Sequence, residues 1–384
     1  MKTNSKLVRL GTICTVVSGT TPDTNNASYW NGDLPWITPA EIEETSYVVC
    51  QTARCITKQA VNKKSLNLLP KGTVLLSSRA PIGKVAIAGI DMYCNQGFKN
   101  LICSPKIYNE YLYFFLKAKT EYLKSLGRGA TFKEISKSIV ENILIPLPDI
   151  KTQKRIAERL DKVQELIALQ KEQLKKLDEL IKSRFIDLFG DPITNPKCWP
   201  LKRMSDLFKI TSGGTPSRKH SEYFENGNIP WVKTGDLNTP YLTNTDEYIT
   251  ELGVQESSAK IFPKGTVLLA MYGATIGAVS ILNIEAATNQ ACAAFLPIDS
   301  ILPIYLYSFL FLQKKHFVSL GVGGAQPNIS GEILKREKIL CPPLKLQTQF
   351  ADFVTKIESQ KGLLTTRLSH LETLYKSLMQ EYFG

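Results

Sequence analysis

Shifted by about 194 residues the sequence meets itself, and this internal repeat constrains the fold more than any other feature. Ser18-Gly19-Thr20-Thr21-Pro22 matches Ser212-Gly213-Gly214-Thr215-Pro216, and Leu34-Pro35-Trp36-Ile37 faces Ile229-Pro230-Trp231-Val232. The run Leu69-Pro70-Lys71-Gly72-Thr73-Val74-Leu75-Leu76 returns as Phe262-Pro263-Lys264-Gly265-Thr266-Val267-Leu268-Leu269. Ile82-Gly83 pairs with Ile276-Gly277, Asn95-Gln96 with Asn289-Gln290, and Tyr111-Leu112-Tyr113 with Tyr305-Leu306-Tyr307. Both copies close on Phe-Gly, at Phe189-Gly190 and Phe383-Gly384. Residues 38–68 and 233–261 diverge inside this shared frame. One scaffold displayed twice with two different surfaces accounts for both facts.

Each copy divides into a mixed head and a helical tail. The heads, 1–150 and 191–344, alternate short β-prone runs with turns, and only residues 108–126 and 303–320 are free enough of Gly and Pro for longer helices. The fold class expected is α/β: two mixed, sheet-rich globular domains separated by two long helices. Those helices occupy 151–190 and 345–384. The first has no Gly or Pro between Lys151 and Phe189, and its apolar seam is Ile156, Leu160, Val163, Ile167, Leu174, Leu177, Ile181 and Leu188. The second uses Phe350, Val354, Ile357, Leu364, Leu368, Leu371, Tyr375, Leu378 and Tyr382. Steps of four and three give the coiled-coil period. Gln170, Arg184 and Lys361 are polar seam positions, expected to set register or to lie near frayed ends. A helix with one apolar seam needs a partner, and an antiparallel pair within the chain is the simplest. That pairing predicts heads at opposite ends of a rod and a pseudo-twofold molecule. A helix of about 35 residues spans on the order of 50 Å, or some 15 base pairs of B-DNA.

The balance of 47 basic to 35 acidic residues, a net charge of +12, favours an anionic partner, nucleic acid first among them. Residues 1–190 hold 28 Lys or Arg against 18 Asp or Glu, whereas 191–384 hold 19 against 17. The first half should therefore draw more affinity from phosphate contacts. No signal peptide or membrane span is expected, and eight scattered cysteines without a CxxC pair suit free thiols in a reducing cytoplasm better than disulfides or zinc. Catalytic patterns are missing from the sequence: no GxxxxGK[ST], strand-placed GxGxxG, HExxH or GxSxG is present. Asn195-Pro196-Lys197-Cys198 is a poor match to a methyltransferase loop, and His220, His316 and His370 are far apart.

What remains suits the reading of DNA. Arg and Lys can donate to guanine O6 and N7, and Asn and Gln can bond adenine bidentately. After a predicted strand, Ser77-Ser78-Arg79-Ala80-Pro81-Ile82-Gly83-Lys84 offers Arg79 and Lys84, and the repeat places Tyr272 in the matching loop. Arg128, Thr131 and Lys133 line up with the stretch holding Gln326 and Asn328. Arg218 and Lys219 form the densest basic patch of the second head, and Lys233 follows Trp231 in the divergent stretch. Structural turns and solvated charge runs are the competing interpretations. Trp36 and Trp231 read as core anchors.

This order of motifs resembles the specificity subunit of type I restriction-modification systems, over essentially the whole chain. The paired Ser-Gly and Pro-Trp openings carry the likeness, with the Pro-Lys-Gly-Thr-Val-Leu-Leu runs and the stretches from Pro148 to Gln153 and from Pro343 to Gln347. The resemblance implies a non-catalytic chain whose two target-recognition domains each read one half of an asymmetric, bipartite site in double-stranded DNA. It implies docking of two methyltransferase subunits on the helices and, in restricting systems, two restriction subunits. S-adenosylmethionine, ATP and Mg²⁺ would then belong to those partners. A stand-alone nuclease and a coiled-coil scaffold without a DNA role are the alternatives. The first requires a carboxylate cluster with a metal, and the second predicts heads with no convergent positive surface.

Overall fold

A computed structural model describes residues 6–43, 45–79, 81–128, 133–321 and 328–384. The chain forms two compact units, residues 1–171 with 366–384, and residues 172–365. Among the described residues no helix is long and apolar enough to cross a membrane.

In the first unit a five-stranded sheet runs in the order Cys14–Ser18, Lys99–Cys103, Val74–Leu76, Val85–Ala88, Val48–Val49. The second unit repeats that order with Ile210–Ser212, Cys292–Phe295, Val267–Ala270, Val279–Leu282 and Tyr241–Leu242. In both, the outermost strand joins parallel and the other pairs are antiparallel. The central strands are buried throughout, which is why they read as apolar runs rather than as alternating patterns. A smaller sheet holds the Pro-Trp strand of each unit, Trp30–Ile37 and Ile229–Val232. The Pro-Lys-Gly-Thr turn is built alike in both copies. Thr73 Oγ1 donates to Pro70 O at 2.6 Å and Thr266 Oγ1 to Pro263 O at 2.7 Å.

Each head is closed by pairing its first strand with its last. Leu7–Arg9 lies against Leu144–Pro146, and Leu201–Arg203 against Lys338–Leu340. This delivers the chain to the start of a 40-residue helix, Ile150–Phe189 or Leu344–Phe383. Asp149 caps the first helix by accepting from the Thr152 amide at 2.9 Å and the Thr152 hydroxyl at 3.0 Å. A buried glutamine then ties each helix to its head. Gln153 Oε1 accepts from the Tyr108 amide at 2.8 Å, while Nε2 donates to the carbonyls of Lys106 and Pro148. Gln347 does the same with the Leu302 amide and the carbonyls of Ser300 and Pro342.

The helices pair antiparallel within each unit. In the first, Ile156, Leu160 and Val163 are buried with Leu378 and Phe383, and Ile167, Tyr375 and Tyr382 are partly buried beside them. Arg159 donates to Tyr382 Oη at 3.1 Å, and Lys171 meets Glu372 at 2.9 Å. Leu368 and Leu371 are half-buried. In the second unit Ile181 and Leu188 pack near Phe350 and Val354, Ile357 is buried, and Leu174, Leu177 and Leu364 are half-buried. The polar seam residue Lys361 is held by Asp178 and Glu358, each at 2.8 Å.

The last turns depart from a simple seam. Phe185 and Phe189 are fully buried, whereas Arg184 and Leu188 at the expected positions are half-buried. The two rings contact Phe350 and also Tyr305 of the head helix Pro303–Leu312. A helix with two packing partners needs a wider apolar stripe than a two-stranded seam supplies.

Candidate nucleic-acid interface

Loops from several strands gather at one edge of each head. In the first unit, Thr20 N donates to Cys94 O at 3.0 Å and Asn95 N to Ile37 O at 3.1 Å. Ser78 N donates to Gly97 O at 2.7 Å, and Ile135 N to Ser78 O at 2.9 Å. In the second unit the same ties run from Gly214 N to Thr288 O, Asn289 N to Val232 O, Met271 N to Ala291 O and Ile329 N to Met271 O, each at 2.9 Å. The Ser-Gly motif makes this closeness possible: a Cβ at Gly19 would stand 1.8 Å from Asn95 O, and one at Gly213 would stand 1.9 Å from Thr288 O. Thr21 hydrogen-bonds Gln96, and Thr215 hydrogen-bonds Gln290. Trp36 and Trp231 are buried beneath the loops, donating from Nε1 to Thr20 O and Gly214 O.

On this common frame the two edges carry different chemistry. In the first unit Arg79 Nε donates to Glu134 Oε2 at 3.0 Å, and Lys99 Nζ donates to Glu134 Oε1 at 3.0 Å. The Arg79 side chain is 47% exposed, that of Glu134 33%, and that of Lys99 only 9%. Burial alone would raise the Glu134 carboxyl, but the bonds from Lys99 and Arg79 outweigh it and hold it below the usual carboxylate range. Arg128 is exposed, and its backbone bridges to Glu134. Lys133 is exposed beside it. Lys84 is turned inward, donating to Pro39 O at 3.1 Å, so it braces the loop rather than projecting from it. Thr131 lies outside the described residues.

At the matching place in the second unit, Tyr272 bridges to Asn328, and both are exposed. Ala293 occupies the strand position of Lys99. Gln326 lies outside the described residues. The charge of this unit gathers elsewhere, where Glu247 accepts from both Arg218 and Lys233. The Lys233 hydrogen bond, opposed by burial and assisted by Arg218, holds the Glu247 carboxyl below its ordinary range. Arg218 also lies over the Phe224 ring, 4.4 Å from its centroid, and Lys219 beside it is exposed. In the first unit Arg54, paired across from Trp36, sits 3.7 Å over Trp30. The residue whose carbonyl bonds the Trp231 amide is instead Glu247. Sequence reasoning passed over Arg54, Lys99, Glu134 and Glu247. The one available signal was Lys99, a lysine that opens the strand Lys99–Cys103 and is followed by Asn100 before the apolar Leu101-Ile102.

A framework displayed twice, with its polar loop residues exchanged between copies, defines a two-headed recognition protein. The family model for the type I restriction modification DNA specificity domain matches the chain twice, over residues 2–179 and 196–373, and the chain belongs to this family. It is similar to the type I restriction enzyme MjaIX specificity subunit of Methanocaldococcus jannaschii, 32% identical over 379 residues that cover 92% of this chain and 87% of that protein. It is also similar to the EcoR124I/EcoR124II specificity subunit of Escherichia coli, 26% identical over 187 residues, or 47% of this chain and 46% of that one. The crystal structure of the type I restriction-modification S subunit from M. genitalium shares the fold, with a TM-score of 0.63 at 16% identity, covering 100% of this chain and 98% of that chain. A chain from a structure of the type I R-M system gives 0.64 at 20% identity, with the same coverage. The chain is thus a specificity subunit, the component that recognises DNA sequence and not the one that carries out chemistry.

Proposed function

We propose that this chain reads a bipartite, asymmetric site in double-stranded DNA, one half-site at each head, and brings adenine methyltransferase and restriction subunits to it. Two methyltransferase subunits and, in a restricting system, two restriction subunits dock on the chain. S-adenosylmethionine, ATP and Mg²⁺ act on those partners. The observation that carries the reading is the pair of loop edges, tied by the same backbone bonds but presenting Arg79 and Glu134 over a buried Lys99 in one copy and Tyr272 and Asn328 over a buried Ala293 in the other. A palindromic reader would have kept the two edges alike.

The paired helices serve as the spacer, because a continuous 40-residue helix is a fixed length of about 60 Å. A footprint of the chain with its methyltransferase subunits, on DNA selected from random sequence, tests this reading. Two different protected half-sites at a constant separation are expected. One continuous site, or two identical half-sites, would refute it.

A further inference from the structure

We propose that Glu134, backed by the buried Lys99, is a positioning residue that aims Arg79 at a guanine in the half-site read by the first head. The inference rests on the reading of the loop edge as DNA-facing, and it adds the base and the means of selecting it.

Arg79 spends its Nε on Glu134, and among the described residues its terminal nitrogens take no other bond. A guanidinium tethered through Nε presents those two nitrogens as the fork that fits guanine O6 and N7. An untethered arginine loses rotamer freedom when it binds, whereas this one is already partly fixed. The carboxylate also argues against the competing role for Arg79. A phosphate brought to this arginine would lie beside the charge of Glu134, whereas the edge of a base carries no net charge.

Lys99 is the second, independent observation. It lies on the Lys99–Cys103 strand with its side chain nearly buried, where the repeat makes do with Ala293. The sheet therefore does not need a cation at this position. A buried ammonium is costly unless paired, and besides Glu134 its neighbour is the Ser78 hydroxyl at 3.5 Å. Lys99 thus anchors one oxygen of Glu134 from inside while the other oxygen holds Arg79 outside. The backbone bridge between residues 79 and 134 recurs between Tyr272 and Asn328 without the ionic chain, so the bridge alone explains the loop's fold but not its charges.

The test uses the full chain assembled with its methyltransferase subunits and DNA randomised at both half-sites. Wild type should select guanine at one position of one half-site. Arg79→Ala and Glu134→Gln should both lose that preference, by roughly tenfold or more, with all other positions in both half-sites unchanged. A merely structural role for Glu134 would weaken binding at every position alike. If Arg79→Ala relaxes the guanine and Glu134→Gln retains it, the positioning role is wrong while DNA reading stands. If the position sensitive to Arg79 selects another base, or no position responds to either variant, the inference is overturned. A wild-type complex that binds DNA without sequence preference would instead defeat the proposed function itself. Thermal unfolding checks that Glu134→Gln is folded, and Glu134→Asp, which keeps the charge on a shorter arm, takes its place if it is not.

Discussion

Replacing Gln153 by alanine removes three hydrogen bonds at the point where a head becomes a helix. The Tyr108 amide loses its acceptor, and the Lys106 and Pro148 carbonyls lose their donor, around a side chain that is itself fully buried while Tyr108 and Pro148 are half-buried. Leaving buried polar groups unmet is more costly than the bonds are worth, so Gln153→Ala should destabilise the chain by about 2–4 kcal/mol. Gln347→Ala should do the same through the Leu302 amide and the Ser300 and Pro342 carbonyls. Hydrogen exchange separates the two: the Tyr108 amide loses protection in the first variant and the Leu302 amide in the second. Equal loss at both amides in either variant would show that the glutamines are not local ties. These residues were visible in the sequence only as part of a repeated motif. Their purpose was hidden, because Gln153 meets Lys106 and Tyr108 across 47 and 45 residues.

At the level of the element, legibility followed the range of the interaction. The helical seam was readable because its period is local, and Ile156, Leu160, Val163, Phe350 and Val354 are buried where steps of three and four put them. Phe185 and Phe189 escaped because their second partner, Tyr305, belongs to a distant segment that no heptad count includes. The partners that hold Arg79 at the loop edge escaped for the same reason, since Glu134 stands 55 residues from Arg79 and 35 from Lys99. One position in the second helix breaks the local rules outright. Gly362 sits mid-helix and exposed, and a Cβ there would meet nothing within 4 Å. Glycine in a helix interior costs about 0.5–1 kcal/mol relative to alanine. Gly362→Ala should therefore stabilise the chain by about that amount, read as a higher urea midpoint. A lower midpoint would mean that the helix requires glycine at this point for a contact or a bend.

For the molecule as a whole, the spacer role can be tested by changing length without changing surface. Removing one heptad from each long helix, at matched heights of the antiparallel pair, shortens both by about 10 Å. A heptad returns an α-helix to within about 20° of its former facing, so the apolar seam stays in phase. Both loop edges keep their residues, so both half-sites should survive unchanged. The preferred spacer should shrink by about three base pairs at about 3.4 Å each. Three base pairs also turn the duplex by about 100°, at 10–10.5 pairs per turn. The shortened chain must then twist its DNA or give up some contacts, and its affinity should fall even for its best site. Binding selection with the methyltransferase subunits present measures all three quantities together. Half-sites that change while the spacer holds would mean that the helices help to read DNA rather than to measure it. A spacer that ignores the deletion, with half-sites intact, would place the control of distance in the partner subunits.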